Sequence, residues 1–78
     1  MTPDEAKAYV LEKCAFENWK AVKIEGVYYR EVTIRRGAGA AAWSMTKLIP
    51  DGNDTELEKF WVQSADALQG LLNSGIVK

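Results

Sequence analysis

Histidine is missing from this 78-residue chain. Its absence removes Ser-His-Asp and Cys-His nucleophile sets, the histidine pair of helical zinc proteases and ordinary zinc fingers together. Cysteine occurs once, as Cys14. Small secreted domains usually carry an even set of bridging cysteines, so a reducing, cytoplasmic setting is expected. No apolar run approaches the roughly 20 residues that span a bilayer, and the opening MTPDEAKAYVLEK is too charged to read as a signal peptide. An excess of either charge is lacking too: the net charge is −1, which gives no global pull toward DNA or an anionic membrane. Internal repeats, low-complexity tracts and linkers are also absent, and a chain this short is expected to form a single compact α+β domain over residues 1–78.

What is present is apolar and aromatic. Hydrophobic residues make up 47% of the chain, with three Trp, three Tyr and two Phe as large core pieces. Thr2 can cap a helix, Pro3 suits its first position, and Thr2 and Glu5 have capping-box spacing. With Ala6, Val10 and Cys14 on one face, a helix is expected from about residue 3 to about residue 15. The stretch WKAVKIEGVYYREVTIRR is rich in strand formers and breaks at Glu25-Gly26 into two strands, the second from Val27 to Arg36. AAAWSMTKLI gives a third strand, PDGNDTE a loop and KFWVQ a short fourth strand. Ser64 is placed as the cap of a last helix carrying Ala65, Leu68 and Leu72, which ends at Gly75 with Ile76 packing back. The expected fold is therefore α+β, in the order α-β-β-β-β-α, an antiparallel meander with two helices packed on it. One long helix over residues 54–73 is the alternative for the C-terminal third, since DTELEKFW also tolerates helix.

The segment TIRRGAGAAAW poses the main question of function. GAGAAA satisfies a loose dinucleotide-loop pattern, but that motif needs a buried parallel strand before it and a helix after it. The strand before it alternates polar and apolar residues, and the lysine and hydroxyl of a P-loop are missing. A hairpin suits it better. Closed on Gly37-Ala38-Gly39-Ala40, it sets Ile34 opposite Trp43, Val32 opposite Met45 and Tyr28 opposite Ile49 on one face. Arg35–Ala42, Thr33–Ser44, Glu31–Thr46 and Tyr29–Leu48 then share the other, largely polar face. This register opposes Arg30 and Lys47 on the core face. The conflict requires that they reach the rim, find a helix carboxylate, or report a wrong register.

The hairpin leaves a surface for binding. Arg35 and Arg36 stand at one end, and Asp51, Asp54, Glu56 and Glu58 at the other, roughly 30 Å away at strand rise. Tyr29 joins them on the open face, as does Trp61 if Phe60 and Val62 point inward. Trp, Tyr and Arg are the common interface anchors. If Glu25-Gly26 is a two-residue turn, Val22 and Ile24 line up with Tyr29 and Leu48, a patch whose cover is either the first helix or another molecule. The candidate partner-binding residues are Tyr29, Arg35, Arg36, Lys47, Asp54, Glu56 and Trp61. No catalytic set, cofactor or metal site is expected: Cys14 sits far from a helix N-terminus, and Glu56 stands where an EF-hand loop needs glycine. The expected function is a non-enzymatic module, monomeric or weakly dimeric, that docks on a larger protein or nucleoprotein. It would act as an inhibitor or adaptor, as small phage and mobile-element proteins do, an analogy of size and class. The alternative is single-stranded nucleic acid binding, with Lys20, Lys23, Arg30, Arg35 and Arg36 holding phosphates beside aromatic residues. A third reading is a subunit that self-associates through an edge strand or the open face.

Overall fold

A computed structural model describes residues 1–37 and 42–75. Its elements are helix α1 (Pro3–Lys13), strands β1 (Ala15–Ile24), β2 (Val27–Arg36) and β3 (Trp43–Pro50), and helix α2 (Asp54–Ser74). The strands form one antiparallel sheet in the order β1-β2-β3. The fold is thus the expected α+β meander with two helices, but with three strands in place of four.

The missing strand is the first turns of α2. Asn53 caps this helix, its side-chain oxygen accepting from the Glu56 N–H at 3.1 Å, and Asp54 and Glu56 sit at the positive end of the dipole. Phe60, Trp61, Ser64, Ala65 and Leu68 are buried along one side at helical spacing. KFWVQ is strand-like taken alone, but this longer period includes it. Ser64 is therefore no cap: it lies inside the helix, and its hydroxyl donates back to the Phe60 carbonyl. Gly75 ends α2 in the left-handed region at φ 74°, which glycine adopts without strain. The expected packing of Ile76 lies outside the described residues.

α1 begins as expected. Glu5 N–H donates to Thr2 Oγ1 at 3.3 Å, and Thr2 N–H donates to Glu5 Oε1 at 3.1 Å. The helix stops at Lys13 because Cys14 is extended and β1 follows at once. The tight turn at Glu25-Gly26 is also present. Both residues have positive φ, 50° and 82°, as a two-residue hairpin turn requires.

That turn sets Ile24 opposite Val27 and Val22 opposite Tyr29. Continued unbroken, the same register would put Phe16 on the face of the sheet away from the helices. A bulge between Asn18 and Ala21 shifts the ladder, so that Phe16 pairs with Ile34 and Asn18 with Val32. One strand thereby sends Phe16 inward at one end and Val22 and Ile24 outward at the other.

Between β2 and β3 the register differs from the expected one by two residues. Ile34 pairs with Met45, Val32 with Lys47 and Arg30 with Ile49. An even shift preserves which side chains share a face. The sorting into two faces is therefore as expected, while the partners are not, and the connection is longer than Gly37-Ala38-Gly39-Ala40. Residues 38–40 of that expected turn lie outside the described residues. The shift also removes the Arg30–Lys47 conflict. Each residue now faces an aliphatic one, Arg30 lies 3.8 Å from Asp51, and Lys47 lies 3.6 Å from Glu56 on α2.

Both helices pack on the same side of the sheet. Ala6 and Val10 of α1 and Phe60, Trp61 and Ala65 of α2 form one core with Val32, Ile34 and Ile49. α1 therefore does not cover the opposite face.

Candidate interaction surface

That opposite face is built from alternate residues of every strand. β2 contributes Val27, Tyr29, Glu31, Thr33 and Arg35. The pairings add Val22 and Ile24 from one end of β1, Glu17 from the other, and Ser44, Thr46 and Leu48 from β3. Trp19, whose indole N–H donates to Glu17 Oε2 at 2.8 Å, stands beside Glu17. Trp19 is 45% exposed, Ile24 43%, Val27 48% and Leu48 40%. The β1–β2 hairpin also projects past the helical layer, because Tyr28 on its other side is exposed, with the Lys23 ammonium 5.3 Å from its ring.

The polar residues of the face are largely matched among themselves. Arg35 Nη1 lies 3.2 Å from Glu17 Oε1, and the Thr33 and Thr46 hydroxyls are 2.9 Å apart across the strands. Thr33 is buried despite lying on the open side, and this hydrogen bond satisfies its hydroxyl. Glu31 is half-buried, opposite Leu48 of β3 and level with the bulge in β1.

The candidate residues do not converge on one site. Tyr29 and Arg35 are on the open face, as expected. Trp61 is not. It is 4% exposed, its ring 5.0 Å from Phe16 and 5.6 Å from Phe60, with the Lys7 ammonium 5.9 Å away. As a helix residue it follows Phe60 around the buried side of α2, where a strand would have alternated it outward. Arg36 lies on the helix side and donates from Nη1 to the Lys13 carbonyl at 2.6 Å. It thus satisfies an end carbonyl of α1, and its Nε is buried without a partner. Lys47 and Glu56 are paired with each other, Glu56 also lies 3.5 Å from Lys59, and Asp54 is exposed in the first turn of α2. The expected dipole between basic and acidic ends is reduced, since ion pairs take up Arg35, Asp51 and Glu56, half of the charges that would form it.

Glu17, Trp19 and Val27 are residues of the face not singled out from sequence. Val27 follows from the Glu25-Gly26 turn. Trp19 depends on the bulge, which the strand's composition does not mark.

Cys14 is half-buried against the core, and burial pushes its thiol up, an effect that the nearby Arg36 and Lys13 charges only partly offset. A thiol held protonated is a poor nucleophile. Comparisons with protein families, with curated proteins and with solved structures find no match to this chain.

Proposed function

We propose that this chain is a non-enzymatic protein-binding module that docks through the open face of its sheet on a larger protein. It would serve as an inhibitor or adaptor of the phage and mobile-element kind, in the cytoplasm. One observation carries the reading: both helices lie on one side, leaving Trp19, Ile24, Val27 and Leu48 uncovered on the other. Scattered exposed aliphatics are ordinary, whereas several on one uncovered sheet face mark a contact surface. The matching partner is an apolar strip flanked by a lysine or arginine. Arg35 is already neutralised by Glu17, so Glu31 is left as the charge of the face that seeks a counterpart.

The nucleic-acid alternative is less well supported. Of its five cations, Arg30 and Arg35 have carboxylate partners and Arg36 is spent on a helix carbonyl, which leaves Lys20 and Lys23 to hold phosphates. Salt-dependent binding of labelled oligonucleotides would restore it.

A photo-crosslinking residue placed at Ile24 or Leu48, and in a control at Gln63 on α2, tests the proposal. The same partner protein should crosslink from the sheet positions and not from the helix. Ile24→Lys with Leu48→Lys should weaken its capture by roughly tenfold or more without altering the fold, as loss of interface anchors does. Crosslinking from Gln63 alone, or capture indifferent to the paired lysines, overturns it.

A further inference from the structure

Among the described residues the outer edge of β3 is unpaired, a separate feature whose inference does not rest on the proposed function. β3 is the outermost strand beside β2. The Asp51 N–H donates to the Tyr28 carbonyl at 2.9 Å, which identifies Tyr28–Asp51 as a hydrogen-bonded pair of the ladder. In an antiparallel ladder such pairs alternate. Trp43, Met45, Lys47 and Ile49 therefore direct their N–H and C=O groups to β2, while those of Ser44, Thr46 and Leu48 point outward. Pro50 is the next outward position and has no N–H to offer, so it closes this edge at one end.

We infer that this edge pairs with β3 of a second copy, antiparallel about a twofold axis through Thr46, joining two three-stranded sheets into one. This register uses every outward N–H and C=O of Ser44, Thr46 and Leu48: Thr46 pairs with Thr46 of the second copy, and Ser44 with its Leu48. Centring the axis on Leu48 would put Thr46 against a proline, and centring it on Ser44 would carry the pairing into the connection between β2 and β3. No like charges oppose each other, since Lys47 faces Met45 of the second copy and is already paired with Glu56. On the helix side half-buried Trp43 lies opposite the second copy's Ile49. Growth stops there, because the remaining edges are the bulged β1 strands. The apolar faces of the two copies then lie side by side.

Light scattering over a concentration series, combined with cysteine scanning in a Cys14→Ser background, tests the inference. The parent chain should reach dimer mass and go no further. Thr46→Cys should oxidise to a covalent dimer at a rate independent of protein concentration, since directly opposed Cα atoms fall within disulfide reach. Ser44→Cys or Leu48→Cys alone should not, as each lies about 14 Å from its own copy, while a mixture of the two should crosslink. Thr46→Pro removes an outward donor and no backbone bond to β2, and should lose the dimer, whereas Thr46→Val, which gives up the same hydroxyl contact with Thr33, should keep it. If the proline variant does not fold, the cysteine series, which keeps every backbone donor, decides. A monomer throughout, or self-crosslinking at Ser44 in place of Thr46, overturns the inference.

Discussion

On the helix side of the sheet Val32, Ile34 and Ile49 have almost no contact with solvent, while on the other side Val27 and Leu48, their neighbours along the same strands, are nearly half exposed. The residue types are the same and only the layer above them differs. A strand displays its side chains alternately, so each face needs its own cover. Here α1 and α2 are both spent on one face, α1 packing chiefly against α2. Apolar content therefore reports burial on one side and availability on the other.

The largest test of this contrast is a pair of truncations. Phe60 is fully buried at the centre of the core. Phe60→Ala should cost about 3–5 kcal/mol, enough to threaten folding of a chain this small. Leu48→Lys on the open face should change the stability of the monomer by about 0.5 kcal/mol or less. Urea denaturation of the two variants measures both. A Leu48→Lys loss approaching that of Phe60→Ala would mean that the open face is held by the fold itself and is not free for contact.

The two faces were legible from sequence to different depths. Alternation along Val27 to Arg36 sorted β2 correctly, and it survived a wrong β3 register because the error was an even number of residues. The Arg30–Lys47 clash signalled that error, and its relief came from both the register and the carboxylates of Asp51 and Glu56. Trp61 is misplaced when KFWVQ is read as an isolated strand, whereas the alternative of one helix over residues 54–73 is what the structure shows. Only the spacing from Leu57 through Leu68 reveals the helix, whose Ser64 mimics a start signal. The bulge at Trp19–Lys20 left no local mark. It reflects a tertiary demand, that Phe16 reach Trp61 while Val22 stays across from Tyr29.

A smaller effect comes from the turn that sets the open face. Glu25 holds φ at 50° in a position that asparagine and glycine tolerate better. Glu25→Asn should stabilise the chain by several tenths to about 1 kcal/mol while leaving Ile24 paired with Val27. Gly26→Ala should destabilise it by about 1 kcal/mol through strain, since open space surrounds the site and only the φ of 82° resists a side chain. Thermal melts of the two variants should move in opposite directions. Movement in the same direction would show that the turn does not control the register of this face.

The smallest effect acts on the helix side alone. Glu5 is held below the usual glutamate range, first by the hydrogen bond from the Thr2 backbone and then by that from its hydroxyl. A lowered carboxyl in the folded state contributes stability that is present at neutral pH. That contribution is lost as pH falls from the ordinary value near about 4.3 through the lower folded one. Because the group is exposed, the loss should appear as fraying of the first turn of α1 and not as global unfolding. Carbon-detected NMR titration should place Glu5 below the ordinary glutamate range, and Thr2→Ala should return it to that range. Hydrogen exchange, corrected for intrinsic rates, should quicken at Ala6 and its helical neighbours in acid while Tyr29 and Glu31 in β2 stay protected. If Glu5 titrates in the ordinary glutamate range in the parent chain, the capping box is not what anchors α1. The helix side would then owe its cover to the packing of Ala6 and Val10 against α2 and the sheet.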